Sequence, residues 1–163
     1  MILGMSVPAF TLLHVIISLV GIATGLVVVL AMLPGKRLAG WTGLFLATTV
    51  LTSVTGFFFH STAFGPPHVV GVLSLVILAL AIPALYSKRL AGGWRKVYVI
   101  GAIASLYFNC FVGVVQAFQK LPFFNALAPT QKEPPFLIAQ GLLLAIFVVA
   151  TVVSLRKFQP PVH

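Results

Sequence analysis

The chain has 163 residues, 60% apolar and only 7% charged, against about 25% charge in an ordinary soluble domain. A soluble fold of this size could not cover its surface with so little charge, so the composition is that of an integral membrane protein. The net charge of +9 includes a single carboxylate, Glu133, and no Asp. That excludes hard-cation sites, which need several oxygen ligands, and the positives lie between apolar runs, unlike a basic-aromatic nucleic-acid surface.

Five stretches are predicted to cross a bilayer, each near the roughly 20 residues a spanning helix needs. The first runs from Pro8 to Leu33, stops at Pro34-Gly35, and reads as a retained span, since no basic segment precedes it and no small-residue cleavage site follows it. The second runs from Trp41 to His60, and "STAFGPP" turns the chain into the third, His68 to Tyr86. The fourth runs from Val97 to Gln119. After the connection "KLPFFNALAPTQKEPP", the fifth runs from Phe136 to Leu155. The connection reads as a compact loop lying on the bilayer surface, with Phe123 and Phe124 buried in it, or as a lid over the His-Gln pocket or a contact for a periplasmic partner.

Lys36, Arg37, Lys88, Arg89, Arg95, Lys96, Arg156 and Lys157 fall on one side, and Lys120, Lys132 and Glu133 on the other. This positive-inside bias predicts an outside N-terminus and a cytoplasmic C-terminus, with Trp41 and Trp94 at the inner interface.

The pentapeptide "KRLAG" occurs at 36–40 and again at 88–92, each time shortly before a Trp. Each copy also follows an apolar run that opens His-Val, at His14 and at His68. A duplicated helical hairpin is expected: residues 8–60 repeat as 68–119, a four-helix core related by an axis along the membrane normal. Residues 120–135 form the outer loop, and 136–155 add a fifth helix outside the core. The predicted architecture is thus an all-α integral membrane fold in one domain.

The register places His14 and His68 about 30 Å from their basic turns, near the outer edge of the hydrocarbon, with His60 at the same level. Asn109, Gln116 and Gln119 in span four and Gln140 in span five lie in that outer half too. Polar side chains within spans face protein or a water-filled cavity, so an outward-facing pocket is expected. Neutral imidazole is a common metal ligand and an axial ligand of haem iron. His14 and His68 are therefore the candidate ligands of one b-type haem. His60 is a supporting group or alternative ligand, and Gln116, Asn109 and Gln140 are pocket walls. Gly21, Gly25, Gly71 and Gly113 would leave room for the plate, and Lys120 and Lys132 could meet its propionates. Copper on three His and a quinone held by His and Gln donors are the alternatives. A different class stays open beside them: a non-catalytic subunit that binds lipid or partner membrane subunits, or docks a periplasmic redox protein.

Several chemistries are disfavoured. The middles of the spans carry no Asp, Glu, Lys or Arg, so ion-coupled transport lacks its groups. The lone Cys110 excludes an internal disulfide and a CxxC pair. No P-loop, GxSxG or HExxH occurs.

The opening hairpin, with His14, Gly21 and Gly25 followed by "GKRLAGW", resembles a family of small bacterial multi-span membrane proteins of unknown function. The resemblance covers the first two spans and the second basic turn. It implies a bacterial inner (plasma) membrane location and brings no activity with it. Histidines in both leaflets, as in superoxide-oxidising or ascorbate-reducing cytochromes b, are absent, so at most one haem site is expected.

Overall fold

A chain this apolar must satisfy its backbone N–H and C=O groups internally, and helices do so segment by segment. The computed structural model describes residues 1–59 and 65–160. It is all-helical, 79% helix, with no strand among the described residues. The helices are α1 (Val7–Met32), α2 (Ala39–Gly56), α3 (Pro66–Tyr86), α4 (Trp94–Lys120), α5 (Pro122–Leu127) and α6 (Pro134–Lys157). Six helices therefore replace the five expected. The extra one, α5, lies in the connection read as a loop. Pro122 opens it, and the Asn125 amide donates to the Phe118 carbonyl at the end of α4 (3.2 Å). Phe124 packs on Phe118, with ring centroids 5.1 Å apart, whereas Phe123 is 71% exposed.

Among the described residues, four helices, α1, α3, α4 and α6, are long and apolar enough to cross a bilayer. The expected second span differs. It ends at Gly56, where the Phe57 N–H bonds tightly back to the Val54 carbonyl (3.2 Å), and Thr and Ser dilute its hydropathy. Most of that polarity is absorbed locally, because the hydroxyls of Thr48, Thr49, Ser53 and Thr55 each donate to a carbonyl four residues back.

α1 packs against α2, α2 against α3, α3 against α4, and α4 back against α1, which closes a four-helix ring. α6 lies outside the ring, mainly on α4, and only 11% of its most apolar window is buried. Such a face requires an apolar solvent.

The dense core occupies the half of the ring nearest the basic turns, around Val28, Met32, Phe45, Leu78, Leu85 and Tyr98. Close helix approach there depends on Gly25, against Leu106 and Phe45, and on Gly101, against Ala81. At the same end, Arg95 donates to the carbonyls of Leu155 (3.0 Å) and Phe158 (2.8 Å), and so holds the C-terminus of α6. Gly35, at φ +88°, fits against the Lys157 carbonyl, where a Cβ would come within 2.7 Å.

The two "KRLAG" copies adopt different backbones. In the first, α2 already begins at Ala39. In the second, Arg89 (φ 48°), Leu90 (φ 62°) and Gly92 (φ 54°) form a left-handed turn, and α4 waits until Trp94. Left-handed non-glycine residues cost about 1–2 kcal/mol each; here the turn drives Leu90 into the core at 4% exposure. Lys88 Nζ stands 5.5 Å from the Trp94 ring centroid, a cation–π contact at the expected interface.

Candidate functional site

The other half of the ring encloses a cavity of about 490 Å³, within the range of small-molecule sites. All four ring helices line it, and each contributes a face at helical spacing. α1 supplies Thr11, His14, Ser18 and Ile22; α2 supplies Thr52, Ser53 and Gly56. α3 supplies His68, Gly71 and Ser74, and α4 supplies Asn109, Gly113, Gln116 and Lys120. Phe57, Phe59 and Phe108 complete largely apolar walls. Gly71 leaves space that the Phe57 ring takes, since a Cβ there would lie 3.0 Å from it.

His14 is oriented by α2. Its Nδ1 lies 2.7 Å from Thr55 Oγ1, and Phe59 meets the imidazole edge-on at 5.1 Å between centroids. The Thr55 hydroxyl has one proton, which the Leu51 carbonyl takes at 2.7 Å. With that proton on the Leu51 carbonyl, Nδ1–H is the donor to Thr55 and the neutral ring carries a lone pair at Nε2.

His68 is held the other way. It stands in the first turn of α3, where its Nδ1 accepts from the Gly65 N–H at 3.2 Å, the reciprocal half of a capping box. The neutral ring then carries its proton on Nε2. The two imidazoles thus present opposite functions at Nε2. α1 and α3 stand diagonally across the ring, with the cavity between them.

Asn109 reaches across to α2. The Thr49 hydroxyl donates to the Phe45 carbonyl (2.8 Å), so it accepts from Asn109 Nδ2 (3.4 Å). That settles the amide's orientation and leaves Oδ1 without a partner among the described residues. Gly21 makes room for this junction: a Cβ there would stand 3.3 Å from Thr48 Oγ1 and 3.5 Å from Asn109 Nδ2.

Of the sequence-predicted site residues, His14, His68, Asn109 and Gln116 line the one cavity. Gln140 does not; its Nε2 donates to the Phe111 carbonyl (3.2 Å), which fastens α6 to α4, while its Oε1 is buried without a partner among the described residues. Gln119 bonds to Gln131 (3.4 Å) and ties the end of α4 to the connection. His60 lies outside the described residues. No group of three His, Cys, Asp or Glu able to hold a metal occurs among the described residues.

Two cavity hydroxyls are absent from the sequence reading as site residues. Thr52 Oγ1 is buried with no partner among the described residues, unlike its neighbours on α2. Ser74, 2% exposed, also makes no side-chain hydrogen bond among the described residues. The available signal is weak: Ser74 is a lone hydroxyl in an apolar run, six residues after His68.

No family model matches the chain, and no curated protein or solved structure is similar to it. Function must therefore be read from the site itself. Chemically, the cavity offers apolar walls and a few convergent hydrogen-bonding groups. Lys120 is the charged residue of its lining, and no carboxylate stands there.

Proposed function

We propose that this chain is a bacterial inner-membrane protein whose outer-half cavity binds a quinone-type molecule. It crosses the bilayer five times, α2 included, with the N-terminus outside and the C-terminus in the cytoplasm. The basic residues that cluster at one end of the ring support this orientation, and the place of α2 between α1 and α3 supports its crossing.

One observation carries the ligand reading: hydrogen-bonding groups without partners among the described residues surround an apolar cavity. They are His14 Nε2, Asn109 Oδ1, the Gln116 amide, and the hydroxyls of Thr52 and Ser74. Of these, the Thr52 hydroxyl is fully buried, and such a group costs about 1–3 kcal/mol if it stays unpaired. A ring with oxygens at its ends satisfies them, and Phe57, Phe108 and the aliphatic walls cover its faces.

A b-type haem held by His14 alone is the second reading. The Nδ1–Thr55 bond favours it, since that bond fixes Nε2 as a ligand atom. Ligation from both sides by His14 and His68 would need the His68 proton on Nδ1, opposed by the Gly65 N–H. Copper on three His would need His60 as well.

Purification in mild detergent, followed by solvent extraction and redox difference spectra, separates these readings. About one quinone per chain is expected, and Asn109→Leu with Ser74→Ala should lower it several-fold. A Soret band lost in His14→Ala selects the haem reading. A colourless preparation that neither contains nor binds quinone overturns both and selects a non-catalytic subunit, which co-purifying membrane partners would identify.

A further inference from the structure

We infer that the cavity recognises the reduced, hydroquinone form of its ligand, with the ring's two oxygens aligned along the helices; this rests on the quinone reading above. Three helices independently set the geometry. On α4, Asn109 and Gln116 are seven residues apart, about 10 Å along the axis. On α1, His14 precedes Gly21 by seven, and Gly21 packs at the level of the Asn109 amide. On α3, Ser74 lies six residues, about 9 Å, below His68. The polar groups therefore form two tiers about 10 Å apart: His14 with Gln116 above, Asn109 with Ser74 below. Val15, Leu19, Val70 and Val112 line the interval between them, with the Ser18 and Thr52 hydroxyls at intermediate levels.

A six-membered ring with para oxygens spans about 5 Å between those oxygens. Adding a hydrogen bond of about 2.9 Å at each end gives about 11 Å, which matches the tier spacing. An acyl chain fits less well, because it would pass the Thr52 hydroxyl and end at Ser74.

The redox preference follows from proton positions. With the Thr55 hydroxyl donating to the Leu51 carbonyl, His14 Nε2 is an acceptor in the upper tier, and with the Thr49 hydroxyl donating to Phe45, Asn109 Oδ1 is an acceptor in the lower. A hydroquinone donates an O–H at each end, and a quinone has none to donate. Thr55 is outside the cavity lining and acts as a positioning residue, through the His14 tautomer.

The test is calorimetric titration of the purified full chain in detergent, without oxygen. The probes are tetramethylhydroquinone, tetramethylbenzoquinone and 1,4-dimethoxytetramethylbenzene. The hydroquinone is expected to bind at least tenfold more tightly than the other two. His14→Phe and Asn109→Leu should each remove most of that preference. Thr55→Val should weaken the preference at least threefold without altering the wall, and nitrogen NMR should show the His14 proton redistributing between Nδ1 and Nε2. Equal binding of the three probes overturns this inference and leaves the quinone reading standing. Binding of none overturns both. A preference that survives both His14→Phe and Asn109→Leu, in variants that keep the parent melting temperature, also overturns it.

Discussion

A Cβ added at Gly101 would sit 2.8 Å from the Cβ of Ala81, a short side chain that cannot turn away. At Gly25 the contacts are as close, 2.6 Å to Leu106 Cδ1 and 2.7 Å to Phe45 Cε2, but they are the ends of longer side chains. Gly141 meets nothing within 4 Å. Melting in detergent should rank the alanine variants in that order. Gly101→Ala should cost about 1–3 kcal/mol by overpacking and Gly25→Ala less. Gly141→Ala should be neutral or stabilising by up to about 1 kcal/mol, since Gly weakens a helix interior. Equal melting of Gly101→Ala and Gly141→Ala would contradict the close α3–α4 approach. At this scale the depth of His14, His68, Asn109 and Gln116 is legible in the sequence, because a helix rises by a fixed distance per residue. The proton positions are not, since they depend on Thr55, Gly65 and Thr49 meeting those side chains across helices. Gln140 shows the same limit: its depth is readable, but the rotation of α6 that turns it toward Phe111 is not.

Helices as units show a different mix. The long apolar elements are readable from composition, and their ends fall within a few residues of those expected. α5 is not, because six residues with one Pro give no periodicity, and the Phe118–Phe124 contact that holds it is tertiary. The C-terminus of α6 also depends on a distant residue, Arg95. Replacing Arg95 by Leu removes charged donors from the Leu155 and Phe158 carbonyls, interactions worth about 1.5–3 kcal/mol each before solvent compensates. Amide exchange at residues 155–158 should rise at least tenfold, with the α1–α2 hairpin unchanged. Exchange as slow as in the parent would show that apolar packing alone holds the element. Glu133, at the other end of α6, is anchored locally. Its carboxylate accepts from the Thr130 hydroxyl (2.8 Å), which with backbone N–H groups holds its pKa below the usual carboxylate range.

The molecule as a whole divides into a packed half at the basic turns and an open half around the cavity. The sequence indicates this division through polarity, since Asn, Gln and His collect in one half of the spans. The pairing of His14 with His68 leads to an expected site between the first and third spans, and α1 and α3 both line the cavity. The ring order depends on how hairpins dock and not on their periodicity. The duplicated hairpin stays an expectation: the pairings α1–α2 and α3–α4 suit it, while the two unlike "KRLAG" turns mark divergence between the halves. Orientation is testable at this scale. In a Cys110→Ser background, Lys132→Cys should react with a membrane-impermeant thiol reagent on intact spheroplasts, and Arg156→Cys should react only after lysis. The reverse pattern would invert the proposed topology and place the cavity mouth in the cytoplasm.

The separation of packed half from cavity also bears on how such a chain can change over generations. Substitutions at Gly25, Gly101 or Leu90 threaten the scaffold, while those at Ser74, Gln116 or Val112 alter the walls and leave the helix seams intact. Selection can thus act on the two ends almost independently. A new ligand preference could arise by a few exchanges along the α3 and α4 walls, with the anchoring turns as a fixed chassis.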